Sequence, residues 1–329
     1  MTPSAPSPLK LAFLGCGGVT ARHARTVNGL RQDVHLHFAS RDPAKAETAR
    51  RRFAGAGAFG SYASAMDDPS VEVVMVATPP NLHLDQTLAA LSAGKHVIVE
   101  KPAFPTGDDF GRVREAASAA GRQVLVAENY AYKPVVRVLR RALADGLIGD
   151  PLLVHLDAVK RQDPQGWRAD PTQAGGGGLL EGGIHWVSFM TSLGLPVVDV
   201  AGHDAGGAPG RGTATEETVL AVFEYQGGAV GTLSFSWEVP TRLYGIRLSR
   251  IYGREGTIRF ESNGLFVFVH GRRTRFHLPD LRDLGGFRAM FTDFFDAIRT
   301  GRQPEMTLAR AEQDIRLVNR IYASMGARP

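Results

Sequence analysis

The sequence predicts two consecutive domains of class α/β: a doubly wound parallel sheet, then an α+β domain with a large, mostly antiparallel, open sheet. Up to about residue 128, short apolar runs alternate with helical patterns, and the runs are apolar throughout. After residue 218, strand-like runs follow one another directly. The 329 residues are enough for two domains of about 100–200 residues each. We therefore expect domains at 1–128 and 129–329.

The elements of the first domain follow from strands that contain almost no polar residue, as in a parallel sheet covered by helices on both faces. Thr106 is placed to cap the last helix, with Asp108 and Asp109 in its first turn. The predicted strands are Leu9–Leu14, Val34–Ala39, Val71–Ala77, His96–Glu100 and Gln123–Ala127, and the helices lie near Val19–Leu30, Pro43–Phe53, Leu82–Ala93 and Asp108–Ala120.

The second domain is predicted from strand runs with glycine turns between them. Gly227-Gly228 and Asn263-Gly264 are typical of hairpins. Ala205–Gly212 is rich in glycine and is interpreted as a mobile connection. The predicted strands are Leu152–Val159, Thr218–Phe223, Ala229–Trp237, Ile246–Tyr252, Gly256–Glu261 and Leu265–His270, and helices are predicted at Pro134–Ala144, from Gly175–Gly178 onward, at Phe287–Thr300 and at Leu308–Met325.

Composition excludes several classes of protein. Cys16 is the single cysteine, so a disulfide framework within the chain and a Cys-rich zinc site are excluded. This fits a reducing cytoplasm, where we expect the protein. Met1–Pro8 lacks the charged and apolar regions of a signal peptide, and no apolar run reaches about 18 residues, so no membrane span is expected. His35 and His37 share a strand face without a third ligand, so no metal site is predicted.

The net charge of +5 does not point to nucleic acid. The basic residues are dispersed, apart from small clusters at Arg50–Arg52 and Arg272–Arg275. No nucleic-acid-binding motif accompanies them. Solvated faces and a site for an anionic cofactor explain the charge, and no nucleic-acid partner is expected.

A glycine turn after the first strand predicts dinucleotide binding. Gly15 permits a tight turn, and Gly17 lets the backbone approach a pyrophosphate at the start of the next helix. Gly18 and Val19 continue this phosphate-binding segment, and Thr20 stands where a third glycine is usual. The alternative is a purely structural turn.

The end of the second strand bears on the choice of cofactor. NAD-dependent enzymes usually place an acid there, about 20 residues beyond the glycines, for the ribose hydroxyls. This chain has Ser40 and Arg41 instead, followed by Asp42, which is a candidate helix cap. Arg41 is suited to a 2′-phosphate through charge-assisted hydrogen bonds. The prediction is NADP(H), with NAD(H) as the alternative if Arg41 is only a solvated turn residue.

Two further strand ends carry polar segments to the edge of the sheet where ligands bind. The first is Thr78–His83, which is also explained by a rigid proline turn with Asn81 as helix cap. The second is Glu100-Lys101-Pro102, where Lys101 is suited to a substrate hydroxyl or carbonyl and the X-Pro bond can be cis. From these segments we assign Thr78, Pro79, Asn81, His83, Glu100 and Lys101 to the cofactor, and Lys101 also to the substrate.

Glu181 and His185 are spaced i, i+4, which puts both on one face of a helix. A carboxylate beside a histidine orients the ring, so His185 is a candidate general base for an alcohol. The alternative is an ordinary helical ion pair. Gly182 and Gly183 between them are costly in a helix unless something approaches the backbone.

With these motifs in this order, the chain resembles the Gfo/Idh/MocA oxidoreductases over about Leu9–Gly326. The resemblance implies a Rossmann domain, a C-terminal sheet that mediates dimers or tetramers, a nicotinamide cofactor and sugar-like or cyclic polyol substrates. It also implies that Lys101, Glu181 and His185 are catalytic. The chain departs from the family in having Glu181 and Ser188 where aspartates are usual.

The expected activity is therefore interconversion of a secondary alcohol and a ketone on a sugar, cyclic polyol or related substrate. His185 takes the hydroxyl proton, Lys101 stabilises the oxygen, and Glu181 orients His185. An alternative is an enzyme that retains its cofactor and catalyses sugar–sugar transfer, epimerisation or elimination; a further one is a non-catalytic dinucleotide sensor. Candidates for the substrate wall are Tyr130, Tyr132, Lys160, Trp167 and Arg168, and Trp167 and Trp186 are expected to offer flat surfaces to a ring.

Overall fold

The computed structural model describes residues 8–30, 32–205, 216–241 and 245–326. The chain divides into two compact units. The N-terminal unit contains the residues up to Ala127 together with Met290–Leu308, and the C-terminal unit contains Glu128–Ala289 and the residues from Ala309 onward. The segment Met290–Leu308 thus belongs to the unit of the first sheet, whereas the sequence analysis had assigned it to the second domain.

The N-terminal unit contains a parallel sheet with the order β3-β2-β1-β4-β5-β6. The central strands are almost entirely buried, as expected for apolar strands that are covered on both faces. The doubly wound fold is confirmed, and its strand order reverses between β1 and β4, the place where ligands bind in such sheets. The strands are β1 (Leu9–Leu14), β2 (Val34–Ala39), β3 (Gly57–Phe59), β4 (Val73–Val76), β5 (His96–Glu100) and β6 (Val124–Ala127), and the helices are α1 (Gly18–Asn28), α2 (Pro43–Arg52), α3 (Tyr62–Asp67), α4 (His83–Ser92) and α5 (Gly107–Ala120).

Local capping explains where several of these helices begin. The Asp42 carboxylate accepts a hydrogen bond from the Ala44 amide at 3.0 Å, and Thr106 caps α5 through the Asp109 amide at 3.3 Å. Both caps are confirmed. Asn81 is not a cap, because it lies inside a 3₁₀ turn and α4 begins only at His83. The sequence analysis missed β3 and α3, which are too short to show a clear period.

The C-terminal unit contains a sheet with the order β14-β13-β12-β11-β7-β10-β9-β8, in which β7 and β10 pair in parallel and the other neighbours are antiparallel. The mostly antiparallel sheet is confirmed, and the missed strands β8 and β14 lie at its edges. The elements are α6 (Pro134–Ala144), β7 (Pro151–Val159), α7 (Pro171–Ala174), a π-helical turn (Leu179–Gly183), α8 (Ile184–Thr191), β8 (Val197–Asp204), β9 (Thr218–Tyr225), β10 (Val230–Ser236), β11 (Leu248–Gly253), β12 (Gly256–Glu261), β13 (Val267–His270), β14 (Arg275–His277) and α10 (Leu308–Ser324). The helix α9 (Phe287–Thr300) begins in this unit, but from Met290 onward it belongs to the N-terminal unit.

The two faces of this sheet differ in exposure. In β9, for example, Val219, Ala221 and Phe223 are buried, whereas Leu220 between them is exposed. The open face exposes large apolar side chains on several strands, namely Leu153, Leu220, Val230, Leu248, Phe268 and Phe276. Most of the predicted glycine-rich connection, residues 206–212, lies outside the described residues, as do residues 1–7.

Candidate active site

The glycine turn of the N-terminal unit packs closely on the end of the neighbouring strand. Gly15 has a φ of +103°, and a Cβ there would lie 2.8 Å from the Ala77 carbonyl oxygen, so only glycine fits. Thr20, at the position of the usual third glycine, donates a hydrogen bond to the Gly15 carbonyl at 2.8 Å. Above Gly17 and Gly18, a Cβ would meet nothing within 4 Å.

This open space continues into a basic pocket at the start of α1. The helix has no side-chain cap and no acidic residue in its first turn, so its first amides are available to bind an anion. The pocket has a volume of about 460 Å³. These features fit the phosphates of a dinucleotide. Prominent among its lining residues are Cys16, Gly17, Gly18, Lys45, Thr48 and Arg52.

At the end of β2 the structure separates the two predicted cofactor residues by exposure. Ser40 is buried, and its hydroxyl accepts a hydrogen bond from the Asp42 amide at 3.1 Å. Arg41 is exposed. Its guanidinium is therefore accessible to a ligand, whereas Ser40 shapes the turn.

A single buried histidine connects the two polar segments at the edge of the parallel sheet. His83 Nδ1 lies 2.9 Å from the Pro102 carbonyl oxygen, and Nε2 lies 2.9 Å from the Thr78 carbonyl oxygen. Burial lowers the pKa of His83, which favours a neutral ring that donates to one carbonyl at a time. His83 thus orders both loops, while Asn81 is exposed nearby.

Lys101 is held by the carboxylate that precedes it. Glu100 is buried, and its Oε2 accepts a hydrogen bond from the Lys101 amide at 3.0 Å. Its Oε1 pairs with Nε2 of His23, a fully buried residue of α1 that the sequence analysis missed. Burial alone would raise the pKa of Glu100, but His23 and Lys101 bring it below its ordinary value. The Lys101–Pro102 bond is cis, and the Lys101 side chain is half-buried.

In the C-terminal unit, His185 pairs with a carboxylate that the sequence analysis did not identify. His185 Nδ1 lies 2.7 and 2.9 Å from the two carboxylate oxygens of Glu128. The Glu128 side chain is only 2% exposed, and Oε1 also accepts a hydrogen bond from the Tyr130 amide at 2.9 Å. Nδ1 therefore carries the proton in the neutral ring, and Nε2 keeps its basic lone pair.

Glu181 and His185 each have a partner other than the one that their i, i+4 spacing predicts. Residues 179–183 form a π-helical turn, whose wider spacing changes which side chains align. Glu181 accepts a hydrogen bond from Arg168 Nε at 2.9 Å. The sequence predicts that Glu181 orients His185. In the structure, the carboxylate that bonds the His185 ring is that of Glu128. No signal local to residues 181–185 could have identified Glu128.

The glycines in this turn admit a close neighbour, as their cost in a helix had suggested. A Cβ on Gly182 would lie 2.3 Å from the Trp237 ring, and one on Gly183 would lie 2.6 Å from the Leu179 side chain. The π-helical turn therefore packs directly against Trp237. Turns of this kind occur frequently at functional sites.

Aromatic side chains support the His185 ring. Tyr130 stacks on it with 4.5 Å between ring centres and an angle of 15°. The ammonium of Lys133 lies 4.5 Å from the Tyr130 ring centre, and burial lowers the pKa of Lys133 to about 8. Trp186 meets Tyr130 edge-on, but it is only 4% exposed and Arg247 lies over it. The expectation that Trp186 offers a flat surface to a substrate is therefore wrong, because this side chain belongs to the core.

The other predicted wall residues lie in two places. Trp167 is half-buried, and the Arg168 guanidinium lies 4.5 Å from its ring centre. Lys160, at the end of β7, is exposed, and Tyr132 is 3% exposed and belongs to the core. The structure thus brings Trp167, Arg168 and Glu181 together as one group.

Two kinds of feature are absent from the described ranges. Among those residues, no three His, Cys, Asp or Glu side chains are grouped to hold a metal ion. In the same part of the chain, no helix is long and apolar enough to span a membrane.

The fold and the glycine turn define the class of oxidoreductases that bind a nicotinamide dinucleotide. Residues 9–128 match the sequence model described as "Oxidoreductase family, NAD-binding Rossmann fold". Residues 136–259 match the "GFO/IDH/MocA C-terminal domain". The chain belongs to the Gfo/Idh/MocA family of oxidoreductases.

Its relatives include enzymes that are named for sugars and diols. It is 28% identical over 293 residues to levoglucosan dehydrogenase of Pseudarthrobacter phenanthrenivorans, covering 79% of this chain and 72% of that one. It is 33% identical over 284 residues to trans-1,2-dihydrobenzene-1,2-diol dehydrogenase of Mus musculus, covering 83% and 81%. The chain is accordingly an NAD(P)-dependent dehydrogenase or reductase that acts on CH–OH groups.

Solved structures agree with this fold over nearly the full length. Levoglucosan dehydrogenase in complex with NADH and levoglucosan has a TM-score of 0.86 at 23% identity, covering 97% of this chain and 98% of that one. Aldose-aldose oxidoreductase from Caulobacter crescentus, complexed with glycerol, has a TM-score of 0.85 at 23% identity, with the same coverage.

Proposed function

We propose that this enzyme interconverts a secondary alcohol and a ketone on a sugar or cyclic polyol, with NADP(H) as its preferred cofactor. The observation that carries the proposal is the hydrogen bond between Glu128 and His185 Nδ1. It leaves Nε2 as the basic nitrogen of a half-buried ring, in a family whose named relatives act on sugars and diols.

His185 and Lys101 have different roles in the proposed reaction. In the oxidation direction, His185 Nε2 takes the proton from the substrate hydroxyl. Lys101, the second catalytic residue that the family resemblance implies, stabilises the negative charge that develops on the substrate oxygen. A dinucleotide held at the Gly15–Gly17 turn would supply the chemistry of hydride transfer to or from the substrate carbon. In the reverse direction, the protonated His185 returns its proton to the oxygen.

The substrate is recognised by polar and flat groups on the C-terminal unit. Arg168, 41% exposed and fixed by Glu181, donates to ring hydroxyls, and Trp167 offers its face to a ring. Tyr130 and Lys160 complete the proposed wall. A site of this kind rejects analogues without hydroxyls, because its own polar groups are then left unpaired.

The preference for NADP(H) rests on charge near the glycine turn. Arg41 is exposed where NAD-dependent enzymes usually have an acid. Lys45 and Arg52 line the pocket beside Gly17. These cations favour an additional phosphate on the ribose.

We propose in addition that the protein forms a homodimer or homotetramer in the cytoplasm through the open face of the C-terminal sheet. Leu248 and Phe276 are each 61% exposed on that face, and Phe268 is 37% exposed. Apolar side chains repeated across neighbouring strands are typical of an interface. Light scattering of the wild type and of the Leu248→Lys variant tests this, and a monomeric wild type would contradict it.

Steady-state assays with NAD⁺ and NADP⁺ over pyranoses, inositols, keto-sugars and plain alcohols test the main proposal. We expect the highest kcat/KM for a ring polyol or its ketone with the NADP couple. A plain alcohol turned over more efficiently than every ring polyol would contradict the substrate class. Turnover between two sugars without added cofactor would instead establish the alternative in which the enzyme retains its cofactor.

A further inference from the structure

The C-terminal unit contains two buried glutamates, Glu128 and Glu181, that have different partners. His185 Nδ1 contacts both carboxylate oxygens of Glu128, whereas Glu181 accepts a hydrogen bond from Arg168. We propose that Glu128 is the positioning residue of His185 in this chain, and that Glu181 instead fixes Arg168 for substrate recognition. This inference rests on the proposed function of His185 as the base.

The Glu128 carboxylate is held in place independently of His185. Its Oε1 accepts the Tyr130 amide at 2.9 Å, so the turn after β6 fixes the carboxylate through its own backbone. The side chain is 2% exposed, so little water competes for its oxygens. A fixed, buried acceptor selects the ring tautomer with the proton on Nδ1 and keeps Nε2 available as the base.

A stacked aromatic ring further restricts the orientation of the His185 imidazole. Tyr130 lies nearly parallel to the imidazole at 4.5 Å, and it follows Glu128 by two residues. One short segment therefore supplies both the carboxylate at the ring edge and the aromatic surface at the ring face. Such supporting contacts are what keep a catalytic group within its productive geometry.

Other charged groups surround this pair. Lys133 lies against the Tyr130 ring, and Asp314 of α10 is buried close enough to Glu128 to be affected by its charge. Arg168 and Glu181 form their own ion pair on the adjoining segment. Glu128 bonds the His185 ring directly, so the loss of its carboxylate is expected to have the largest effect on His185.

Glu181 holds Arg168 in a position that is suited to substrate recognition. Its side chain is 6% exposed, whereas that of Arg168 is 41% exposed. The guanidinium also lies over the Trp167 ring at 4.5 Å. The buried acid thus fixes one side of the guanidinium while other donors remain accessible to hydroxyl groups.

The test compares Glu128→Gln, Glu128→Asp and Glu181→Gln. In Glu128→Gln, the amide can donate to Nδ1 and favour the wrong tautomer, so kcat should fall roughly 10²–10⁴-fold with little change in cofactor Kd. Glu128→Asp should recover part of kcat. Glu181→Gln should mainly raise KM for polyols.

A direct measurement separates this inference from the proposed function. With ¹⁵N-labelled histidine, the two ring-nitrogen resonances of His185 are identified by their absence in His185→Asn, and they show which nitrogen carries the proton in the neutral ring of the free protein. We expect the proton on Nδ1 in the wild type and in Glu181→Gln, and a larger share of the Nε2-protonated tautomer in Glu128→Gln. The matched control is Glu216→Gln, which removes a half-buried carboxylate that accepts hydrogen bonds from the Leu179 amide at 2.8 Å and the Tyr322 hydroxyl at 2.7 Å.

An unchanged tautomer in Glu128→Gln, or a change of tautomer caused by Glu181→Gln instead, would overturn the inference. The proposed function fails separately, if His185→Ala retains wild-type turnover. In that case the ¹⁵N measurement still establishes whether Glu128 controls the ring.

Discussion

Lys101 in the N-terminal unit and His185 in the C-terminal unit are positioned in different ways. Lys101 follows a buried strand directly, and the residue before it, Glu100, accepts its amide hydrogen bond. His185 depends on Glu128, which is 57 residues away, and on an irregular turn before α8. The amide of Lys101 is thus bonded by its neighbour in the sequence, whereas His185 needs a partner that is distant in the chain.

The largest expected effect tests whether both residues are needed for the chemistry. Lys101→Ala and His185→Ala should each lower kcat by roughly 10²–10⁴-fold, the usual range for a positioned proton-transfer group. Cofactor Kd should stay near the wild-type value. The matched control is His155→Ala, since His155 is a half-buried histidine of β7 that bonds Thr232 at 2.8 Å. A kcat for His185→Ala close to that of the control would remove His185 as the base.

The second effect concerns two buried carboxyl groups, one in each unit, whose pKa values are shifted in opposite directions. Burial, with the charge of Glu128, raises the pKa of Asp314 from 3.8 to about 7, whereas Glu100 has a lowered pKa. The protonated Asp314 therefore contributes stability below pH 3.8 that is lost as the pH rises through about 7.

Asp314→Asn should remove this dependence. Between pH 4 and pH 8, the wild type should lose up to about 4 kcal/mol of unfolding free energy relative to the variant. Urea unfolding at several pH values measures the difference. Parallel pH profiles of the two proteins would show that Asp314 ionises normally in the folded state.

A smaller effect sharpens the description of the N-terminal unit. Arg41→Ala should weaken NADPH binding by about 1.5–3 kcal/mol, the worth of a hydrogen bond to a charged group. NADH binding should barely change, because NADH lacks the 2′-phosphate. Fluorescence titration with both cofactors measures this. An equal loss for both, or a wild-type preference for NADH, would contradict the NADP(H) assignment.

The smallest effect tests the irregular turn of the C-terminal unit. Gly182→Ala should destabilise the protein by about 1–3 kcal/mol, because its Cβ would overlap the Trp237 ring. Gly111→Ala in α5 is the control, since a Cβ there meets nothing within 4 Å. That substitution should be neutral or stabilising by up to about 1 kcal/mol. Thermal unfolding of both variants would decide, and equal melting temperatures would contradict the close packing.

The same comparison explains what could be predicted from the sequence. The Gly15 turn, the Asp42 cap and the segment around Lys101 depend on residues near one another in the chain, so their placement was predicted correctly. Glu128 was missed because it pairs with His185 only through the tertiary fold. The i, i+4 spacing predicts a pair between Glu181 and His185 only for a regular helix. Residues 179–183 instead form a wider π-helical turn, in which Gly182 packs closely on Trp237.

The His83 ring has a consequence for how this sequence can change over time. The rigid imidazole spans the carbonyls of Thr78 and Pro102, one from each cofactor-edge loop. A change in the path of either loop alters a distance that the ring cannot adjust. We therefore expect homologues that replace this histidine to differ in both loops together, so that the three positions vary as a group.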